Sequence, residues 1–127
     1  MSVLLVSFCK PAKPPEIVVT QADFHVRGFF EEIEDDEAFV ESFRTYTMSQ
    51  IYMLRAVLPA MKAARWGRFV HIGSATAKEP QSNPPHTVAN GTRPSTVGLL
   101  KSLADEYARY GITINTIAPG WIATRTT

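Results

Sequence analysis

The sequence predicts an α/β fold built on a parallel sheet, and three observations predict it. Short β-branched or apolar runs recur at Ile17–Thr20, Arg68–Ser74 and Ile112–Ala118, each too short for a helix. Two long segments with three-to-four-residue apolar spacing separate them, and each is long enough to be a crossover connection. The order strand, helix, strand, helix, strand then implies right-handed βαβ units.

The N-terminal stretch MSVLLVSFCK is apolar, but it has no basic lead and stops at Lys10 and the proline-rich PAKPP. It is too short for a transmembrane span and does not read as a signal peptide. Residues 1–15 are therefore expected to be irregular, and residues 16–127 to form one domain. The first strand is IVVT, Ile17 to Thr20.

The first helix is expected from about Asp35 to Ala64. Phe39, Phe43, Tyr46, Gln50, Met53 and Val57 form one stripe, and Val40, Thr47, Ile51, Leu54 and Leu58 form a second. A helix with two apolar sides packs on a sheet with one and on another helix, often a partner subunit's, with the other. Glu31, Glu32, Glu34, Asp35, Asp36 and Glu37 crowd its start, and Lys62, Arg65 and Arg68 its end, as the helix dipole prefers. That acidic run reads as a solvated helix start, and no metal site is expected. Pro59 should kink the last turns.

Gly67 punctuates before the second strand, and a polar loop, ATAKEPQSNPPHT, follows it. The second helix is expected from about Asn90 to Tyr110, with Val97, Leu100, Ala104 and Tyr107 on one face and Gly111 as its stop. Pro119-Gly120 ends the third strand. In such sheets ligands bind beyond the carboxyl ends of the strands. Those ends are Thr20-Gln21-Ala22-Asp23, Gly73-Ser74 and Ala118-Pro119-Gly120.

Composition narrows the functions. A net charge of +1 gives nucleic-acid binding no electrostatic support, and one cysteine excludes an internal disulfide. A cytoplasmic protein, neither membrane-bound nor nucleic-acid-bound, is expected.

The run from Leu99 to Thr124, with Asn115, Ile117, Pro119, Gly120 and Thr124 in an N-x-I-x-P-G-x-x-x-T pattern, resembles the short-chain dehydrogenase/reductase family. The likeness is to its 3-oxoacyl-acyl-carrier-protein reductase-like members and extends over residues 16–127. GRFVHIGSA and LRAVLPAMK join the match, and EIVVTQAD falls where the family has D-I-L-V-N-N-A-G. The resemblance implies a partial Rossmann-like parallel sheet, a nicotinamide cofactor (NAD or NADP), and hydride exchange with a small carbonyl or alcohol substrate. It also implies a homo-oligomer built through the two long helices. No G-x-x-x-G-x-G turn for the cofactor pyrophosphate occurs in the chain. The pattern stops at Thr124, before the family's substrate-covering helices and last strand, as in a truncated member.

Carried over residue by residue, the family's serine falls on Ser74 and its asparagine on Tyr46. Its tyrosine-x-x-x-lysine falls on Ala89 and Arg93, so the usual phenolic proton donor is replaced by a methyl group. Ser74 and Arg93 are the candidate catalytic residues. Ala22, Arg93, Pro119, Gly120 and Thr124 are the candidate cofactor-binding residues. Tyr46 reads first as a core tyrosine and His86 as a loop histidine, though either could supply a proton. Halohydrin dehalogenases share this fold and use serine, tyrosine and arginine. Two readings stand: an oxidoreductase, or a non-catalytic fragment or pseudoenzyme acting through helix-mediated assembly.

Overall fold

A computed structural model of the protein describes residues 14–123 except His25 and Asn83. The N-terminal run through Lys13 and the candidate Thr124 lie outside the described residues. Strand β1 (Ile17–Gln21) is followed by helix α1 (Glu37–Phe43), a π-helical segment (Arg44–Met48) and helix α2 (Ser49–Ala64). Strand β2 (Gly67–Ile72), helix α3 (Thr87–Tyr107) and strand β3 (Ile112–Ile117) complete the order. The strands are all parallel, in spatial order β1-β2-β3. Thr20 lies opposite His71, which in turn lies opposite Thr116.

Alternation along the strands selects the face that is covered. Val18, Phe69, Ile112 and Ile114 are buried against Leu54, Val57, Leu58 and Met61 of α2 and Leu100 of α3. Phe69, at the centre, is wholly buried, which is worth about 1.5–3 kcal/mol of hydrophobic stabilisation. The opposite face leaves Ile17, Val19 and Ile117 exposed.

The helix expected over 35–64 is one run, but its regularity breaks early. Pro59 sits inside α2, whose helical pattern continues through it to Ala64, and a separate irregular turn falls earlier, at Arg44–Met48. A π-segment widens one turn and shifts the phase of the apolar stripe. Ser42 is therefore buried where Phe43 was expected, and Phe43 is exposed.

Helix α3 begins at Thr87, three residues before the expected start: the Asn90 amide already donates to the His86 carbonyl at 2.8 Å, and His86 gives no side-chain cap to mark the start. That places Pro94 inside the helix. Small hydroxyl side chains join α3 to the first helix: Ser42 Oγ pairs with Thr92 Oγ1 at 2.6 Å, and Thr47 Oγ1 with Thr96 Oγ1 at 2.9 Å and Ser95 Oγ at 2.7 Å.

After α3 a short 3₁₀ turn ends at Gly111, whose φ of +71° requires a residue without a Cβ. A Cβ there would meet the Arg65 carbonyl oxygen at 2.3 Å. Gly111→Ala is expected to lower the unfolding free energy by about 1–3 kcal/mol. Gly98→Ala, at an exposed helical site where an added Cβ meets nothing within 4 Å, is expected to raise it by about 0.5–1 kcal/mol. Denaturant melts of the two variants check both signs.

Candidate active site

The site forms where the three strands end together. Past the end of β2, the Gly73 amide donates to the Ile117 carbonyl at 2.8 Å and the Ala75 amide to the Pro119 carbonyl at 3.0 Å. These bonds hold Ser74 beside Pro119-Gly120. Ser74, Arg93, Pro119 and Gly120 line an open cleft of about 240 Å³ together with His86 and Trp121. A smaller chamber of about 20 Å³ adjoins Ser74 and Arg93, and Ala22, Tyr46, His71 and Thr96 also line it. The sequence-level candidates Ala22, Ser74, Arg93, Pro119 and Gly120 are thus brought to adjoining cavities, and Ala89 is buried in α3, one turn before Arg93.

Arg93 organises both cavities. Its Nη1 donates to Thr76 Oγ1 at 2.8 Å, and its Nη2 donates to Tyr46 Oη at 3.1 Å. The guanidinium also lies 5.1 Å from the centre of the Tyr46 ring. Because Thr76 Oγ1 accepts from Arg93, its own proton can go to Ser74 Oγ, 3.0 Å away. Ser74 Oγ accepts from the Thr76 amide as well, at 3.3 Å. With its oxygen receiving two donors, Ser74 has its own proton left to give to a ligand in the cleft.

Periodicity alone places the Tyr46 ring correctly but not its hydroxyl. The residue is buried, as a core tyrosine would be, but its hydroxyl reaches the chamber rather than the apolar core. Its Oη accepts from the Phe24 amide at 3.2 Å as well as from Arg93. Burial pushes the phenol above its ordinary pKa; Arg93 opposes that rise and Asp23 adds to it. The signal that could have found it was polar: Ser42, Thr47, Thr92 and Thr96 mark where the two helices meet.

His71 on β2 is buried beside the chamber. The Thr20 hydroxyl donates to Gln50 Oε1 at 2.6 Å, so its oxygen accepts from His71 Nδ1, 3.2 Å away. The ring is then neutral with its proton on Nδ1, and burial lowers its pKa. His86 is also held below its ordinary value, by burial first and then by Arg27 and Arg93. Its Nε2 is buried with no hydrogen-bond partner among the described residues. A neutral histidine is a poor proton donor, which disfavours His86 as the acid.

Residues 10–127 match the family model described as short chain dehydrogenase. The 3-oxoacyl-[acyl-carrier-protein] reductase of Haemophilus influenzae is 35% identical over 109 residues, covering 86% of this chain and 44% of that protein. An oxidoreductase of Escherichia coli strain K12 is 44% identical over 70 residues, 55% of this chain and 26% of its own length. The crystal structure of L-sorbose reductase from Gluconobacter frateurii, complexed with NADPH and L-sorbose, superposes with a TM-score of 0.80 at 26% identity. That match covers 89% of this chain and 42% of the reductase. The chain therefore spans less than half the length of these relatives. Among the described residues no helix is long and apolar enough to cross a membrane, and no group of side chains is arranged to hold a metal ion.

The two histidines set an acid limit. A group whose pKa is lower folded than unfolded binds fewer protons when folded, so stability is lost as pH falls through its unfolded value, about 6.5. Between about pH 7.5 and about pH 5 the melting temperature should drop. In His71→Asn, which keeps a donor toward Thr20 and does not titrate, the drop should be smaller. Thermal melts across that range check this, and an unchanged slope would remove His71 from the account.

Proposed function

The chain belongs to the short-chain dehydrogenase family, and from that premise we propose that it takes part in nicotinamide-dependent hydride exchange with a small carbonyl or alcohol. One observation carries the proposal: Ser74, Arg93 and Pro119-Gly120 meet around a single cleft at the carboxyl ends of three parallel strands. The residues present fit the nicotinamide half of a dinucleotide. Among the described residues Arg93 gives one N–H to Thr76 and one to Tyr46, and a guanidinium has five such donors to offer a ribose or phosphate oxygen as well. His86 lines the same cleft, and its Nε2 is buried without a hydrogen-bond partner among the described residues. Ala22 keeps the end of β1 small, and Gly120 leaves its side of the cleft open.

When bound, the cofactor supplies or accepts the hydride. The chain's own part is to hold the other reactant. Ser74 donates its free proton to the carbonyl oxygen, and its oxygen is polarised by the Arg93–Thr76 chain behind it. Hydrogen bonds assisted by a charge are the stronger kind, and aimed donors stabilise the negative charge that develops on that oxygen. Arginine does here what a lysine ammonium cannot, because a planar fork reaches two acceptors in fixed directions.

Assembly through the helices accompanies this reading. Ile51, Leu58 and Pro59 of α2 line an apolar groove with Leu99 and Leu103 of α3, a surface suited to a second copy of the chain. The relatives' coverage supports a longer protein as the active unit, and the substrate is left at its chemical class.

Trp121 lines the cleft and provides the test. The chain has two tryptophans, and Trp66 precedes β2 at the opposite end of the sheet, so a Trp66→Phe protein reports on Trp121 alone. Reduced nicotinamide dinucleotide is expected to quench its fluorescence saturably. Arg93→Ala should weaken that binding about 10- to 100-fold, the worth of a charged hydrogen bond. No quenching at millimolar cofactor would overturn the proposal.

A further inference from the structure

We propose that Tyr46 is the proton source of this site, delivering its phenolic proton to the substrate oxygen through one water held in the small chamber beside Ser74. This rests on the carbonyl chemistry proposed above. Position 89 offers only a buried methyl group, so a proton must come from elsewhere. The side chains that could supply one near Ser74 are Tyr46, His71 and His86. His71 is buried with its proton committed to Thr20, and His86 is a neutral ring beside two arginines. Tyr46 is left.

Its hydrogen bonds are those of a donor group. The phenol oxygen accepts from Arg93 at 3.1 Å and from the Phe24 amide at 3.2 Å. Among the described residues its own proton goes to the Phe24 carbonyl, at 3.5 Å, the far limit of a hydrogen bond. Two donors on the oxygen and a weakly held proton favour the phenolate that forms when the proton leaves. At rest the phenol is protonated; burial, the largest influence, and Asp23 make it a weaker acid, and Arg93 and the Phe24 backbone offset part of that effect.

The chamber supplies the path. Its volume of about 20 Å³ exceeds the roughly 10–15 Å³ that one water needs, and Tyr46, Ser74, His71 and Arg93 are among the residues that line it. A single bridging water is an accepted route for general acid catalysis. In the reducing direction the carbonyl carbon gains the hydride, and the π electron pair moves onto oxygen. That oxygen takes a proton from the water as the water takes one from Tyr46 Oη. Arg93 and the Phe24 amide hold the phenolate until solvent reprotonates it.

The experiment uses the full chain with ethyl acetoacetate as the carbonyl probe, and three readouts. First, Tyr46→Phe, which releases one arm of Arg93, should still bind reduced dinucleotide saturably, by Trp121 quenching, and lose at least about 100-fold in turnover of the probe. Equal turnover would overturn the proposal. Second, in protein carrying ring-labelled tyrosine, the Tyr46 carbon signal should shift when the probe joins the oxidised dinucleotide, and Ser74→Ala should abolish the shift. The chain has four tyrosines, so substituting the other three assigns the signal even if Tyr46→Phe does not fold. A Tyr46 signal unmoved while Trp121 reports bound cofactor would reject Tyr46 alone. Absence of quenching in the wild type, the third readout, would instead overturn the nicotinamide reading and Tyr46's role with it.

Discussion

Everything at the site depends on how α1 and the π-segment after it meet α3. The contact is made by hydroxyls: Ser42 against Thr92, and Thr47 against Ser95 and Thr96, all at 2.6–2.9 Å. Side chains this small bring the two backbones close, and paired hydroxyls avoid the cost of about 1–3 kcal/mol for an orphaned polar group. Tyr46 and Arg93 lie next to these pairs on the two helices. Their 3.1 Å hydrogen bond follows from a helix contact that hydrophobic packing alone would not specify.

The central strand fixes the other half of the geometry. β2 is paired on both sides, and two further backbone bonds continue beyond its end to Ile117 and Pro119. Ser74 is therefore set by the hydrogen-bonded sheet, while Arg93 and Tyr46 are set by helices. The guanidinium joins the two systems, with one nitrogen on the Thr76–Ser74 chain and one on Tyr46. Removing that one fork would loosen both arms at once.

The succession of strands and helices, the parallel direction and the meeting of the strand ends were legible in the sequence, because β-branched runs and apolar spacing report burial directly. Ala22, Ser74, Arg93, Pro119 and Gly120 could be named before any coordinates, and they line adjoining cavities. The phase of the first helix was not legible. Periodicity assumes 3.6 residues per turn throughout, and the wider turn at Arg44–Met48 breaks that assumption, burying Ser42 and exposing Phe43. Tyr46 sits in that segment, so its ring counted correctly as core while its hydroxyl went unplaced. The start of α3 was missed because His86 supplies no capping side chain.

The central claim is that one cleft, beside Ser74 and Arg93, receives the reacting end of a nicotinamide cofactor. A crystal structure of the full chain grown with reduced dinucleotide tests it most directly. The account predicts the nicotinamide ring between Ser74 and Trp121, with Arg93 on the adjoining ribose or phosphate and the Tyr46–Arg93 bond intact. A ring bound elsewhere, or a cleft closed to the cofactor, would contradict it.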